Sequence, residues 1–107
     1  MSSRLVPVAR LSDLRESRAR RVVVEDHEIV LWNIGGRVFA TTNVCSHQHV
    51  AALHEGILEG LTISCPMHGW TYSLETGIAV RGDGRIRVYT VTVTGNDVFV
   101  EIPETTS

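Results

Sequence analysis

The sequence predicts an all-β fold, an antiparallel sandwich or barrel built from a single domain over residues 1–107. Three observations predict it. Short Val- and Ile-rich runs alternate apolar and polar residues. Turn signals recur every eight to twelve residues, and no window carries an amphipathic helix of three turns.

In chain order, Leu5 to Val8 is the first predicted strand, followed by the polar-capped turn Leu11-Ser12-Asp13-Leu14. Arg21 to Val24 ends at the turn Glu25-Asp26-His27. In Glu28 to Asn33, Ile29 and Leu31 share one face while Val30 and Trp32 share the other, and Trp32 is expected in the core. Gly35-Gly36 is a hairpin signal, because paired glycines accept the positive φ that tight hairpins need; Val38 to Thr42 is the return strand. Val50 to His54 suits a short helical turn that Gly56 ends. Ile57-Leu58 and Leu61 to Ser64 form a small predicted hairpin turning at Glu59-Gly60. Trp70 to Leu74 and Ile78 to Val80 follow, with a flexible loop expected over Arg81-Gly82-Asp83-Gly84-Arg85. Ile86 to Val93 reads as one strand of period two, and Val98 to Ile102 closes the domain.

Composition narrows the function. Ten Lys+Arg against 12 Asp+Glu give a formal charge of -2, and no basic run extends beyond Arg18-Ala19-Arg20-Arg21, so nucleic-acid binding has no support. Apolar runs are far too short for a membrane span, and MSSRLVPVAR lacks the apolar core of a secretory signal. A cytoplasmic protein is expected, where a structural disulfide between Cys45 and Cys65 would be unusual. No nucleophile–base signature and no nucleotide-binding glycine motif is present, so catalysis by this chain is not expected.

The two cysteines sit in two boxes, Cys45-Ser46-His47 and Cys65-Pro66-Met67-His68-Gly69-Trp70, separated by the seventeen residues Gln48 to Ser64. Two thiolates and two imidazoles suit tetrahedral zinc, or a [2Fe–2S] centre with one iron held by histidines. Zinc modules usually pair like with like at each end, whereas here each box mixes the two types and could serve both irons. Pro66 and Gly69 fit tight loops: one fixes φ, and the other permits positive φ or a close backbone approach.

The spacing Cys45-x-His47, then Cys65-x-x-His68, resembles the Rieske [2Fe–2S] motif. Ala52, Leu53, Gly56, Leu58, Gly60, Ile63, Pro66, Gly69, Trp70 and Thr76-Gly77 support the resemblance, which is densest over Asn43 to Gly77. It implies a Rieske-like sandwich with a cluster-binding lobe over about 43–80, inserted in a β scaffold. It implies that Cys45 and Cys65 hold the inner iron, and that His47 and His68 hold the outer iron through Nδ1 near the surface.

In Rieske proteins of quinol-oxidising complexes, two further cysteines brace the cluster loops. The matching positions here are Val50 and Met67, and the serine that bonds a bridging sulfide is matched by Trp70. Their potential-raising tyrosine does have a counterpart in Tyr72. Fewer hydrogen bonds to sulfur imply a potential towards the low end of the Rieske range of about -150 to +300 mV. The pattern resembles the small soluble ferredoxins of bacterial aromatic-ring dioxygenase systems. Those carry single electrons from a flavin-dependent reductase to a terminal oxygenase, which implies docking of such partners at the His47/His68 tip. With two thiolates offsetting the oxidised core, the formal charge stays at -2 and becomes -3 on reduction, which suits basic docking patches. Two other readings remain at this level: a non-catalytic Rieske small subunit of a multi-subunit enzyme such as assimilatory nitrite reductase, and a structural zinc domain.

The remaining candidates have plainer readings. His49 and His54 depart from the motif spacing and read as solvated loop histidines, and His27 has still less claim to bind metal. Trp70 reads as packing, Tyr72 as either a hydrogen-bond donor to cysteine sulfur or core filling, and Arg81, Arg85 and Arg87 as a solvated face. The ferredoxins of this kind often carry prolines after the Thr-Gly turn; Gly82 and Gly84 stand in that region here, which implies a more open loop.

Overall fold

A computed structural model describes residues 3–44, 53–66 and 69–103. Among these described residues, eleven strands form three antiparallel sheets. The first sheet has the order β1 (Ser3–Arg10), β11 (Asp97–Pro103), β10 (Val91–Thr94). The second has the order β2 (Ala19–Val24), β3 (His27–Ile34), β4 (Arg37–Thr42), β9 (Val88–Tyr89). The third runs in simple succession through β5 (Ile57–Glu59), β6 (Thr62–Ser64), β7 (Thr71–Ser73) and β8 (Ala79–Arg81). Two 3₁₀ turns, Leu11–Asp13 and Leu53–Glu55, complete the described elements. Among the described residues no helix is long and apolar enough to cross a membrane.

The second sheet is the middle layer, and β3 shows why. A strand covered on both faces must be apolar on both. Ile29 and Leu31 enter one core with Leu14, Ala40, Tyr89, Val98, Val100 and Ile102. Val30 and Trp32 enter the other with Phe39, Leu53, Ile63, Cys65, Tyr72, Leu74 and Ile86. All four β3 residues are buried, and the Trp32 indole N–H donates to Thr41 Oγ1 at 3.2 Å. The core that contains Cys65 is therefore shared between the middle sheet and the third sheet.

The Gly35-Gly36 hairpin forms as expected, with φ of +61° and +89° closing a two-residue turn between β3 and β4. Pro7 sits on β1, an edge strand, beside the register shift between Pro7 and Ala9, where its missing N–H costs little.

Ile86 to Val93 is not one strand. It breaks at Thr90: β9 pairs with β4 through Ala40↔Tyr89, and β10 pairs with β11 through Val91↔Val100. The chain changes sheets here, so strict alternation fails. Ile86 and Tyr89 are buried, whereas Thr90 is exposed. The turn at Glu59-Gly60 is displaced by one residue, since β5 runs through Glu59 and Gly60-Leu61 make the turn with Gly60 at φ +59°.

Candidate metal centre

Strand β4 delivers the chain to the first box. Thr42 N–H bonds Arg87 O at 2.9 Å, and Asn43 N–H bonds Glu28 O at 3.0 Å. Cys45, His47, His49, Val50 and Ala52 lie outside the described residues. The chain is described again from Leu53, in a 3₁₀ turn, and both sides of the gap meet at Asn43. Leu53 N–H donates to Asn43 O at 3.0 Å, and His54 N–H donates to Asn43 Oδ1 at 2.7 Å.

Strand β6 delivers the second box. Cys65 is 1% exposed at the end of this strand, in the core that also holds fully buried Tyr72. Two main-chain bonds close the loop: Cys65 N–H to Trp70 O at 2.7 Å, and Gly69 N–H to Cys65 O at 3.0 Å. Gly69 has φ +72°, so the left-handed backbone at this position is what calls for glycine. Ser64 Oγ and Thr71 Oγ1 lie 2.8 Å apart and tie the strands across the base of the loop. Met67 and His68 lie outside the described residues.

The described segments that flank the two boxes touch through a glycine. A Cβ on Gly56 would stand 2.2 Å from the carbonyl oxygen of Ser64, the residue before Cys65. The return segment of the first box thus packs directly on the entry to the second.

The Arg81–Arg85 loop is a stitched turn. Ile78 bridges Arg85, and Ala79 N–H bonds Gly84 O at 3.1 Å. Gly82, at φ +93°, lies against the Trp70 indole; a Cβ there would come within 2.5 Å of the ring. Gly82 thus lies directly against Trp70, which also packs on the core that contains Cys65. Arg81, Arg85 and Arg87 are exposed.

The histidine readings need one correction. His54 is half-buried and bonded to Asn43, not solvated, because the 3₁₀ turn folds it back over the end of β4. His27 is also engaged elsewhere: its Nδ1 lies 3.1 Å from Tyr89 Oη, with the rings edge to face at 5.8 Å.

Sequence reasoning missed Glu28 and Asn43. Asn43 is 0% exposed, a buried polar side chain whose partners only the fold brings together. The Asn43 Nδ2–H group reaches Glu28 Oε1 at 3.2 Å, and Arg21 Nη2 donates to the same oxygen at 2.8 Å. The Asn43 bond, then the Arg21 bond and charge, hold the Glu28 carboxyl below its usual 4.5 against the opposing effect of burial. A depressed carboxylate pKa stabilises the fold above the unfolded value, and this contribution is lost as pH falls through the folded one. Glu28→Gln should therefore flatten the loss of stability below about pH 4.5, read as urea midpoints of variant and parent against pH. Parallel curves would remove Glu28 from the acid response.

Two thiolates and two imidazoles, with Cys65 buried at a tight loop, make a donor set that fits an iron–sulfur centre. That chemistry and the three-sheet fold define the class, an iron–sulfur electron-transfer domain. The chain belongs to the Rieske [2Fe–2S] domain family, whose model matches residues 4–99. The cofactor is accordingly a [2Fe–2S] cluster. The chain is 34% identical to a 3-phenylpropionate/cinnamic acid dioxygenase ferredoxin subunit of Shigella boydii serotype 4 (strain Sb227), over 88% of this chain and 90% of that protein. It matches a chain in the complex of reduced oxygenase and oxidized ferredoxin in carbazole 1,9a-dioxygenase. There the identity is 30% and the TM-score 0.81, over 89% of this chain and 99% of the other. A nitrite reductase small subunit from Mycobacterium tuberculosis matches at TM-score 0.89 but 18% identity, over 98% and 100% of the two chains, a likeness of fold alone. Within the family, the chain is an electron carrier of the ferredoxin kind.

Proposed function

We propose that this protein is the cytoplasmic one-electron carrier between a flavin-dependent reductase and the terminal oxygenase of an aromatic-ring dioxygenase system. The observation that carries the reading is the 34% identity to a dioxygenase ferredoxin subunit over 97 residues, nearly the full length of both chains. The nitrite reductase likeness, at 18% identity, does not compete with it.

In this reading residues 1–107 form one domain, and the lobe over about 43–80 holds the cluster. Cys45 and Cys65 bind one iron as thiolates, and His47 and His68 bind the other as neutral imidazoles. Bound there, the cluster takes up and releases one electron. The chain's own contribution is to hold four donors in place and to keep water from Cys65, which the core of Trp32, Tyr72 and Ile63 does. Partners dock at the tip that carries His47 and His68, guided by the mildly acidic charge of -2.

The test is the reoxidation of the reduced protein by a purified terminal oxygenase of an aromatic-ring dioxygenase, followed in the cluster absorption. Reoxidation should be faster than by dissolved oxygen alone and several-fold slower at about 0.5 M than at about 0.05 M salt, as screening weakens charge steering. No acceleration by the oxygenase, with stable co-purification on a large reductase subunit instead, would overturn the reading.

A further inference from the structure

We propose that Asn43 is the positioning residue of the first ligand loop: it holds closed both ends of the segment that carries Cys45 and His47 and ties them to the middle sheet. The proposal rests on the ligand assignment above and names a residue outside that set.

The geometry is that of a hub. The loop begins at Asn43 and is caught again at Leu53 and His54. One residue fastens both points, with its main-chain oxygen accepting from Leu53 N–H at 3.0 Å and its side-chain Oδ1 accepting from His54 N–H at 2.7 Å. Its own N–H donates to Glu28 O at 3.0 Å, and its Nδ2–H reaches Glu28 Oε1 at 3.2 Å. His54 Nδ1 lies 3.0 Å from the same Nδ2. Glu28 stands on β3, the strand buried on both faces, and Arg21 on β2 holds its carboxylate at 2.8 Å. A line of bonds therefore runs from Arg21 through Glu28 and Asn43 to the closure of the loop.

Asparagine suits this hub for a chemical reason. Its amide offers a donor and an acceptor on one short uncharged group. Aspartate would keep the bond from His54 N–H but lose the donor to Glu28, and would set two carboxylates against each other. Alanine would lose both, leaving the part-buried His54 N–H and the part-buried Glu28 carboxylate each short of a partner. A loop closed before metal arrives loses less conformational freedom on binding it, so the closure should appear in how fast the centre is lost.

The test compares the holoprotein with Asn43→Ala, Asn43→Asp and the control Val98→Ala, which opens the core that does not contain Cys65. Four readouts are taken: the urea midpoint, iron release to a chelator, visible circular dichroism of the cluster, and hydrogen exchange of the Leu53 and His54 amides. Asn43→Ala should release iron about tenfold faster than Val98→Ala after correction for the midpoint, as expected for the loss of part-buried hydrogen bonds that close the loop. Its dichroism should change and both amides should exchange faster, while Val98→Ala moves the midpoint alone. Adding Glu28→Gln to Asn43→Asp restores a donor facing an acceptor and should recover most of the slow release. Iron release that merely follows the midpoint, with unchanged dichroism and no rescue by the paired substitution, would overturn the proposal. Failure of the ligand assignment shows differently: the parent protein would then carry no cluster, or would keep it after Cys45→Ala.

Discussion

Cys65→Ala is expected to yield a colourless protein without iron or acid-labile sulfide. Cys65 directly follows β6 in the core at 1% exposure, so no water or surface group can replace its thiolate without opening that core. Its loop is closed by two main-chain bonds that the substitution leaves in place, Cys65 N–H to Trp70 O and Gly69 N–H to Cys65 O. The loss is thus of a donor and not of a backbone. The variant should keep a β-rich circular dichroism spectrum and lose thermal stability, because a centre that binds only the native state stabilises it by mass action. Iron and sulfide retained at parental levels would remove Cys65 from the ligand set.

Gly77→Ala should be the most damaging small substitution in the scaffold. Gly77 has φ +79°, a region that costs an L residue about 1 kcal/mol. A Cβ there would also stand 2.1 Å from the carbonyl oxygen of Ile86, a backbone atom that cannot swing away. That carbonyl belongs to a residue whose N–H bonds Gly77 O at 2.8 Å, so relieving the collision breaks the pairing that brings the chain from β8 back to β9. We expect a loss of about 2–4 kcal/mol, at the high end for a single methyl group, with a fall in Tm of about 10 °C or more. Gly60→Ala is the control: Gly60 has φ +59° but nothing within 4 Å of the added Cβ, so the strain is present without the collision. If the two variants melt together, the collision has been relieved by a shift of the loop.

The scaffold was legible because its middle layer writes itself into the chain. A strand with Ile29 and Leu31 on one face and Val30 and Trp32 on the other has two cores to fill, and it fills both. The Gly35-Gly36 turn was equally readable, since few residues adopt φ of +61° and +89° in succession. The stretch from Ile86 to Val93 was not, because a strand that changes sheets keeps its composition while its facing pattern shifts at Thr90.

At the candidate site, the residue types and their spacing were legible, since metal chemistry restricts which side chains can serve. What holds them in place was not. Asn43 reads as an ordinary polar residue at the end of a strand, and its role appears only when residues 11 positions apart in the chain are brought together. Gly82 reads as an open loop until Trp70 is found against it. His54 reads as solvated until the 3₁₀ turn Leu53–Glu55 folds it back. Each is a long-range contact with no local pattern.

Direct voltammetry of the purified protein, with Cys65→Ala as the blank, tests the central claim most directly. A one-electron wave near the low end of the Rieske range, about -150 mV, absent from the blank, is the predicted result for a Rieske electron carrier of the dioxygenase-ferredoxin kind. No wave, from a protein that contains zinc and no sulfide, would contradict it.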